Sequence, residues 1–451
     1  MRHPRPEILS GRHREPSRMM FWMNLLMLRH PFTSRSAMAL MALLACLRPS
    51  FGAPSYATDF HLEKRVYLVG EPVLCDFIIR NTGTEAFAFP YRTPTRALNP
   101  MLASEPRFVL TDARGHRLPE ALPHPCGGAK GRAVYGSVTL PPGQTSVEPW
   151  VLNQWGTIAS PGLYHVHAER HLPLYAIRAH PGTLSGPPSG YALAVENLSF
   201  KVVPGTSEQL RAAYRPLINE LQNPRNPRFS EAVVAVTAVP HSFLEAQLRR
   251  LLSSEFARYP WVPEQALDGL ARLGTPSAWQ TILNMALGHI GASGPKNETL
   301  ALRGYAILLL AEKGDAGFVS PLLSLLHSGP ESLQQNILPA LGFFHDSRAN
   351  EALFQRLRSP IAADRANAIL GLKNLNSRNV IPALLAMLKD PNEEVRTVAN
   401  FALQSLTGQD FALPPLASPS QLARAIARWN KWWQDNNESF RPAPQAPCRD
   451  W

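Results

Sequence analysis

Cysteine is scarce, with four residues in 451, which excludes a small scaffold stapled by disulfides. Charge is sparse too: 18% of residues are Asp, Glu, Lys or Arg against 45% hydrophobic, so this is not a charge-driven disordered chain. The apolar run Ala37 to Ala45 has nine residues, short of the ~20 that a membrane-spanning helix wants. Several chemical signatures are missing. There is no Gly-x-Ser-x-Gly nucleophile elbow, no Gly-x-x-x-x-Gly-Lys or Gly-x-Gly-x-x-Gly phosphate cradle, no His-Glu-x-x-His and no Cys-x-x-Cys. A triad assembled from distant residues escapes such a scan. The expectation is still a protein without catalysis, and no catalytic, cofactor-binding or metal residue is assigned.

What remains is long enough for two or three domains with real cores. The formal charge of +11 is concentrated at the start, where residues 1–57 hold eight Arg and two acids, a net of +6. The other +5 is spread thinly, which predicts solubility and no nucleic-acid binding.

Residues 1–57 read as an export signal. Arg29 and Arg35 precede the apolar run, and Ser55-Tyr56-Ala57 offers small residues at a cleavage site. An internal start at Met23 or Met27 would give a leader of ordinary length. Leu43-Leu44-Ala45-Cys46 resembles a bacterial lipobox, which implies a lipid anchor at Cys46 as an alternative to plain secretion. Either way the expected place is periplasmic or extracellular.

Residues 58–205 alternate short β-rich runs with turn chemistry. Arg65 to Val69 and Val73 to Ile79 flank Gly70-Glu71-Pro72; Pro141-Pro142-Gly143 follows Val138 to Leu140; Pro161-Gly162 opens Leu163 to Ala168. This predicts an antiparallel β-sandwich, and the turn order resembles immunoglobulin-like modules of bacterial envelope proteins. Cys75 and Cys126 are either a disulfide or two free thiols; Cys448 is expected to be unpaired. His165 and His167 share one face of a strand, with His124 a conceivable third metal ligand, yet surface histidines are the commoner meaning of such a pair. Trp150, Trp155 and Tyr164 are candidate polymer-binding rings or core.

Residues 207–410 carry an internal period. Leu310, Leu341, Leu372 and Leu403 are 31 apart, as are Ala306, Ile337, Ala368 and Ala399, and Leu322, Leu353 and Leu384. Ala266, Leu270 and Ile282 extend the columns backwards at a distance of 40, with the nine extra residues placed in a loop over 291–298. Each unit holds two apolar stripes at helical spacing; in one of them Asn374 to Asn379 forms the turn. The run Asp390-Pro-Asn-Glu-Glu-Val-Arg396 leading to Ala399 and Leu403 resembles short bacterial HEAT-like repeats. That resemblance implies a right-handed α-solenoid in which Arg365 and Arg396 tie neighbouring units together, although Gln334 breaks the column. Ser207 to Leu221 is the candidate first cap. Residues 411–451 supply a last helix from Ser418, with Trp429, Trp432 and Trp433 on one face, and a mobile tail from Phe440.

The fold class is thus multidomain β plus α. The function expected is an exported, monomeric interaction protein that binds a protein partner through the repeats. The alternatives are an envelope-polymer or carbohydrate binder acting through the sandwich, or a small-molecule handler, since some short HEAT-like proteins resemble bilin lyases.

Overall fold

A computed structural model describes residues 54–92, 105–119, 135–177, 188–256, 259–290, 296–411, 413–414 and 417–443. The sheet-rich half comprises β1 (Tyr56–Leu62), β2 (Val66–Leu68), β3 (Leu74–Asn81), β4 (Phe87–Arg92), β5 (Arg107–Asp112), β6 (Tyr135–Leu140), β7 (Thr145–Val151), β8 (Gly162–Ala176) and β9 (Gly190–Val203). One sheet runs β1-β3-β7 and the other β2-β9-β8-β4-β6, with β5 also on β8. The strands form because apolar residues alternate. On β8, Tyr164, Val166, Ala168, Leu172 and Leu174 are buried while Leu163, His165, His167 and His171 face out. Inward residues of both sheets, Phe60, Phe77 and Ile79 against Phe108, Val166 and Phe200, share one core.

Not every pairing is antiparallel, as the turn pattern led one to expect: β2 runs parallel to β9 through Val66↔Lys201. The first strand begins at Tyr56, which pairs with Asn81, so two residues placed in the leader already belong to the sheet. Cys75 is a buried free thiol. Its possible partner Cys126, together with Cys46, Cys448, His124 and the leader up to Ala53, lies outside the described residues.

The helical half contains α1 (Ser207–Glu220), α2 (Phe229–Ala238), α3 (Glu245–Arg250), α4 (Trp261–Leu273), α5 (Pro276–Leu287), α6 (Lys296–Lys313), α7 (Val319–Ser328), α8 (Gln334–Leu341), α9 (Ser347–Arg356), α10 (Ala362–Leu375), α11 (Ile381–Met387), α12 (Glu393–Thr407) and α13 (Pro419–Asn436). The 31-residue columns point into a single core: Leu270, Leu310, Leu341, Leu372 and Leu403 are fully buried, and so are Ala266, Ala306, Ile337, Ala368 and Ala399. First helices of successive units lie side by side, α8 against α10 and α10 against α12. Caps punctuate the array. Thr206 and Ser418 each form a reciprocal capping box, and Thr275 and Asn392 accept a bond from the first turn they precede.

Three local expectations change. Lys296 to Glu298 open α6 and do not belong to the loop. Helix α10 continues through Asn374 to Leu375 and turns at Asn376, which takes a left-handed conformation with φ 49°. The segment from Phe440 is held: its ring packs on Trp432 and Trp433 at 5.3 and 6.1 Å, and the Asn376 amide donates to the Ala443 carbonyl at 3.0 Å. No helix among the described residues is long and apolar enough to cross a membrane.

The two halves join as one compact unit. Leu74 and Val151 leave the sheet core to pack with the helices. The Tyr214 hydroxyl lies 3.0 Å from the Gly70 carbonyl and 2.6 Å from that of Val239, and His241 Nε2 reaches the same Gly70 oxygen at 2.7 Å. Gly70 has φ +85°, and a Cβ there would sit 2.8 Å from the His241 ring. Arg228, just before α2, bonds Glu231 of that helix and Glu63 of the sheet half, the latter at 3.3 Å.

Candidate functional site

Among the described residues, His167 and His171 are each engaged by a neighbouring side chain. His167 Nδ1 is 3.0 Å from Asn197 Oδ1, and His171 Nε2 is 2.8 Å from Glu169 Oε1, on the open face of the larger sheet. No group of three potential ligands able to hold a metal is found among the described residues. The aromatic candidates are core. Trp150 and Tyr164 are buried, and Trp155 packs edge-on to Phe108 at 4.9 Å and to Trp150 at 5.9 Å. They offer no exposed row to a sugar polymer.

The arginine column acts within the array. Arg365 grips Asp390 with both arms, at 2.7 and 2.8 Å, and donates to the Ser359 carbonyl at 2.9 Å; Arg396 donates to Asp390 and Pro391 carbonyls at 2.9 and 3.0 Å. That pairing holds the Asp390 carboxyl below the usual range, chiefly through the Arg365 hydrogen bonds. Arg303, 31 residues before Gln334, does the same work on the Ala286 and Leu287 carbonyls at 3.0 and 3.2 Å. The sequence reading passed over it, although the column spacing marks it. The tryptophans also face inward: Trp429 is fully buried and its indole donates to Asn400 at 3.0 Å.

Two further columns turn outward on the first helices. Tyr305, Asn336, Asn367 and Val398 form one; Leu308, Pro339, Leu370 and Phe401 form the other, each stepping by 31 residues from α6 to α12. None of the eight is charged. Six are partly exposed, Pro339 is covered, and Phe401 is 42% exposed with Lys373 Nζ 5.2 Å from its ring centre. The Asn336 amide lies against Gly304 of the neighbouring helix, where any Cβ would come within 2.8 Å of it. No hydrogen bond among the described residues engages the Asn336 or Asn367 side chain, and both residues are partly exposed.

At the α4 end this face carries a polar knot. The Tyr305 hydroxyl donates to Asp268 of α4, and Arg272 reaches the Thr237 carbonyl at 2.8 Å. Burial raises the Asp268 carboxyl above its ordinary range against the pull of Arg272, and burial with the facing carboxylate pushes the Tyr305 hydroxyl well up. The knot joins α2, α4 and α6 across the array. Arg272 Nε is buried there with no partner among the described residues.

A family model described as HEAT repeats matches residues 350–429. No curated protein matches the chain. Similar solved structures include the β-glucosidase EmGH1 from Erythrobacter marinus, 13% identical over 33% of this chain and 16% of that one, with a TM-score of 0.16. A β-glucosidase from Listeria innocua is 13% identical over 35% and 17% of the two chains, TM-score 0.17. An alpha-2-macroglobulin from E. coli is 14% identical over 85% and 26%, TM-score 0.19. The chain thus spans a small part of each, and likenesses this weak carry no argument about fold or function. What bears on the fold is the similarity of 350–429, from α9 into α13, to HEAT repeats.

Proposed function

We propose that this chain is an exported, non-catalytic interaction protein in which an immunoglobulin-like sandwich and a right-handed HEAT-like solenoid form one body, and that it holds a protein partner on the outward columns of its first helices. Two observations support the immunoglobulin-like reading: the parallel β2·β9 pair at the sheet edge, and the Tyr164 hydroxyl that donates to the Ser160 carbonyl at 2.7 Å at the start of β8, a tyrosine corner. The 31-residue register of buried leucines and the HEAT match support the solenoid. The leader read in residues 1–57 supports export.

The observation that carries the binding surface is the uncharged outward face at Tyr305, Asn336, Asn367, Leu370 and Phe401. The Asn336 and Asn367 side chains make no hydrogen bond among the described residues, whereas Tyr305, the arginine column and Trp429 spend theirs on the array. A photoreactive amino acid placed at Asn367 or Phe401 in cells is expected to give one discrete crosslinked partner. The same group at Ser324 or Ala386 on second helices is expected to give none. Equal crosslinking at all four positions would remove the surface from consideration.

A further inference from the structure

Among the described residues of the sheet half, one exposed large apolar side chain, Val147, belongs to the smaller sheet. The others, Val66, Val109, Leu163, Tyr191, Leu193 and Val195, all lie on the outer face of the larger one. The strand register sets that face in rows. Val109, His167 and Asn197 share one row, Thr111, His165 and Ser199 the next, and Leu163, Lys201 and Val66 a third. Side chains opposite one another on neighbouring strands are ~4.5–5.5 Å apart, so the histidines of β8 border the apolar strip of β9. Tyr191, Leu193 and Val195 in that strip are 62%, 51% and 46% exposed, and continuous apolar surface of this kind marks an interface.

Two properties of the face select its occupant. Its fixed charge nearly cancels: Arg107, Arg117 and Lys201 stand with Glu169 and Glu105, and Asp112 at the end of β5 is matched by His116 at 3.2 Å. A strongly acidic or basic partner finds little to pair with there, whereas a copy of the same face meets no net repulsion. Size agrees. β9 from Tyr191 to Lys201 is about 33 Å long and three strands are about 14 Å wide, so two such faces bury on the order of 1,000–1,200 Å². That is enough for a reversible pair and too little for an obligate one.

We infer that two copies of the chain pair through this face, about a twofold axis that crosses β8 midway between His165 and His167, and that acid opens the pair. Such an axis lays β8 on β8 and β9 on β9, and every contact occurs twice. By the register, the Lys201 stem then runs over Val195 of the second copy with its ammonium beside Glu169, and Leu193 falls on Val203. His165 stands against His167 of the second copy. Imidazole is the side chain whose charge changes between about pH 5 and 8. At the upper end the facing rings are neutral; at the lower end both carry a charge in each of the two contacts. Their own-chain row neighbours Thr111, Ser199, Val109 and Asn197 offer no carboxylate. His171, already 2.8 Å from Glu169, also competes with Lys201 for that carboxylate once protonated.

This pairing replaces the monomer expected from the sequence and does not depend on the helix face proposed above. Sedimentation velocity of the full chain at tens of micromolar tests it. A dimer is expected near pH 7.5, with a dissociation constant at least about tenfold weaker near pH 5.5. Leu193→Asp should be monomeric at both. Lys201→Glu should weaken the pair about tenfold, and Lys201→Glu combined with Glu169→Lys should restore it. Circular dichroism checks that each variant stays folded. A monomer near pH 7.5, a dimer that Leu193→Asp leaves intact, tighter association in acid, or a charge swap that restores nothing would overturn the pairing. None of those results bears on crosslinking at Asn367, so the two readings fail separately.

Discussion

Glu148 of β7 and Arg170 of β8 meet at 2.8 Å between the two sheets, with 4% and 3% of their side chains exposed and the guanidinium 4.3 Å from the Phe77 ring. Burial raises the Glu148 carboxyl in spite of the arginine beside it. Such a pair adds little over a well-packed apolar pair, but halving it is severe. Glu148→Ala should lower stability by about 3 kcal/mol or more, read as an earlier urea midpoint, while Glu148→Leu with Arg170→Met should recover most of that. Asp390 behaves oppositely. Its carboxyl is held low in the fold, so its contribution is present above the ordinary carboxylate value of about 3.9 and is lost as pH falls through the lower folded value. Thermal midpoints measured from pH 6 down to 2 should therefore fall less steeply for Asp390→Asn than for the parent. The Cys75 thiol, pushed up to about 12 by burial, should resist alkylation at pH 8 until the chain unfolds. Residue roles were only partly legible in the sequence. Arg365 and Arg396 announced themselves by their column, whereas Glu148 and Arg170 stand 22 residues apart on strands of different sheets that no local pattern brings face to face.

Helices α8 and α10 approach closely because glycine stands on both sides of the crossing, Gly371 within α10 and Gly342 immediately after α8. A Cβ on Gly371 would lie 2.4 Å from the Leu338 carbonyl, and one on Gly342 would lie 1.9 Å from that of Gly371. Helix propensity alone says that Gly371→Ala in the interior of α10 should stabilise by about 1 kcal/mol. The overlap with backbone, which cannot rotate away, outweighs that gain, and overpacking of this kind typically costs about 1–3 kcal/mol. The expected result is net destabilisation, measured by thermal unfolding of Gly371→Ala beside an exposed control, Ala363→Ser. At this scale the sequence was most informative for the repeats, since every unit must bury the same columns. It was least informative for β4, β7 and β9. Pro90 interrupts the pattern of β4, Glu148 occupies an inward position of β7, and the outer face of β9 is itself apolar at Tyr191, Leu193 and Val195. The outward columns were present as 31-residue spacings of Asn336 and Asn367. Which face of each helix turns to solvent emerged only from packing.

The whole molecule depends on a small joint. Gly70, Tyr214 and His241 lock the sheet half to the first helices, and Leu74 and Val151 add apolar contact. Gly70→Ala places a side chain in a left-handed backbone position and against the His241 ring. It should split a single calorimetric transition into two, with the secondary structure of both halves retained at low temperature. The change from strands to helices near residue 205 was readable in the sequence, but the joint between the halves was not. It comes from one glycine carbonyl serving two side chains that lie 144 and 171 positions away in sequence. The central claim is that the chain binds through the outward face of its first helices. Hydrogen exchange of the intact chain, alone and saturated with the partner crosslinked at Asn367, addresses it directly. The expected result is new protection in α6, α8, α10 and α12 with little change in β8 and β9. Protection confined to the open face of β8 and β9, or to the second helices α7, α9 and α11, would contradict it.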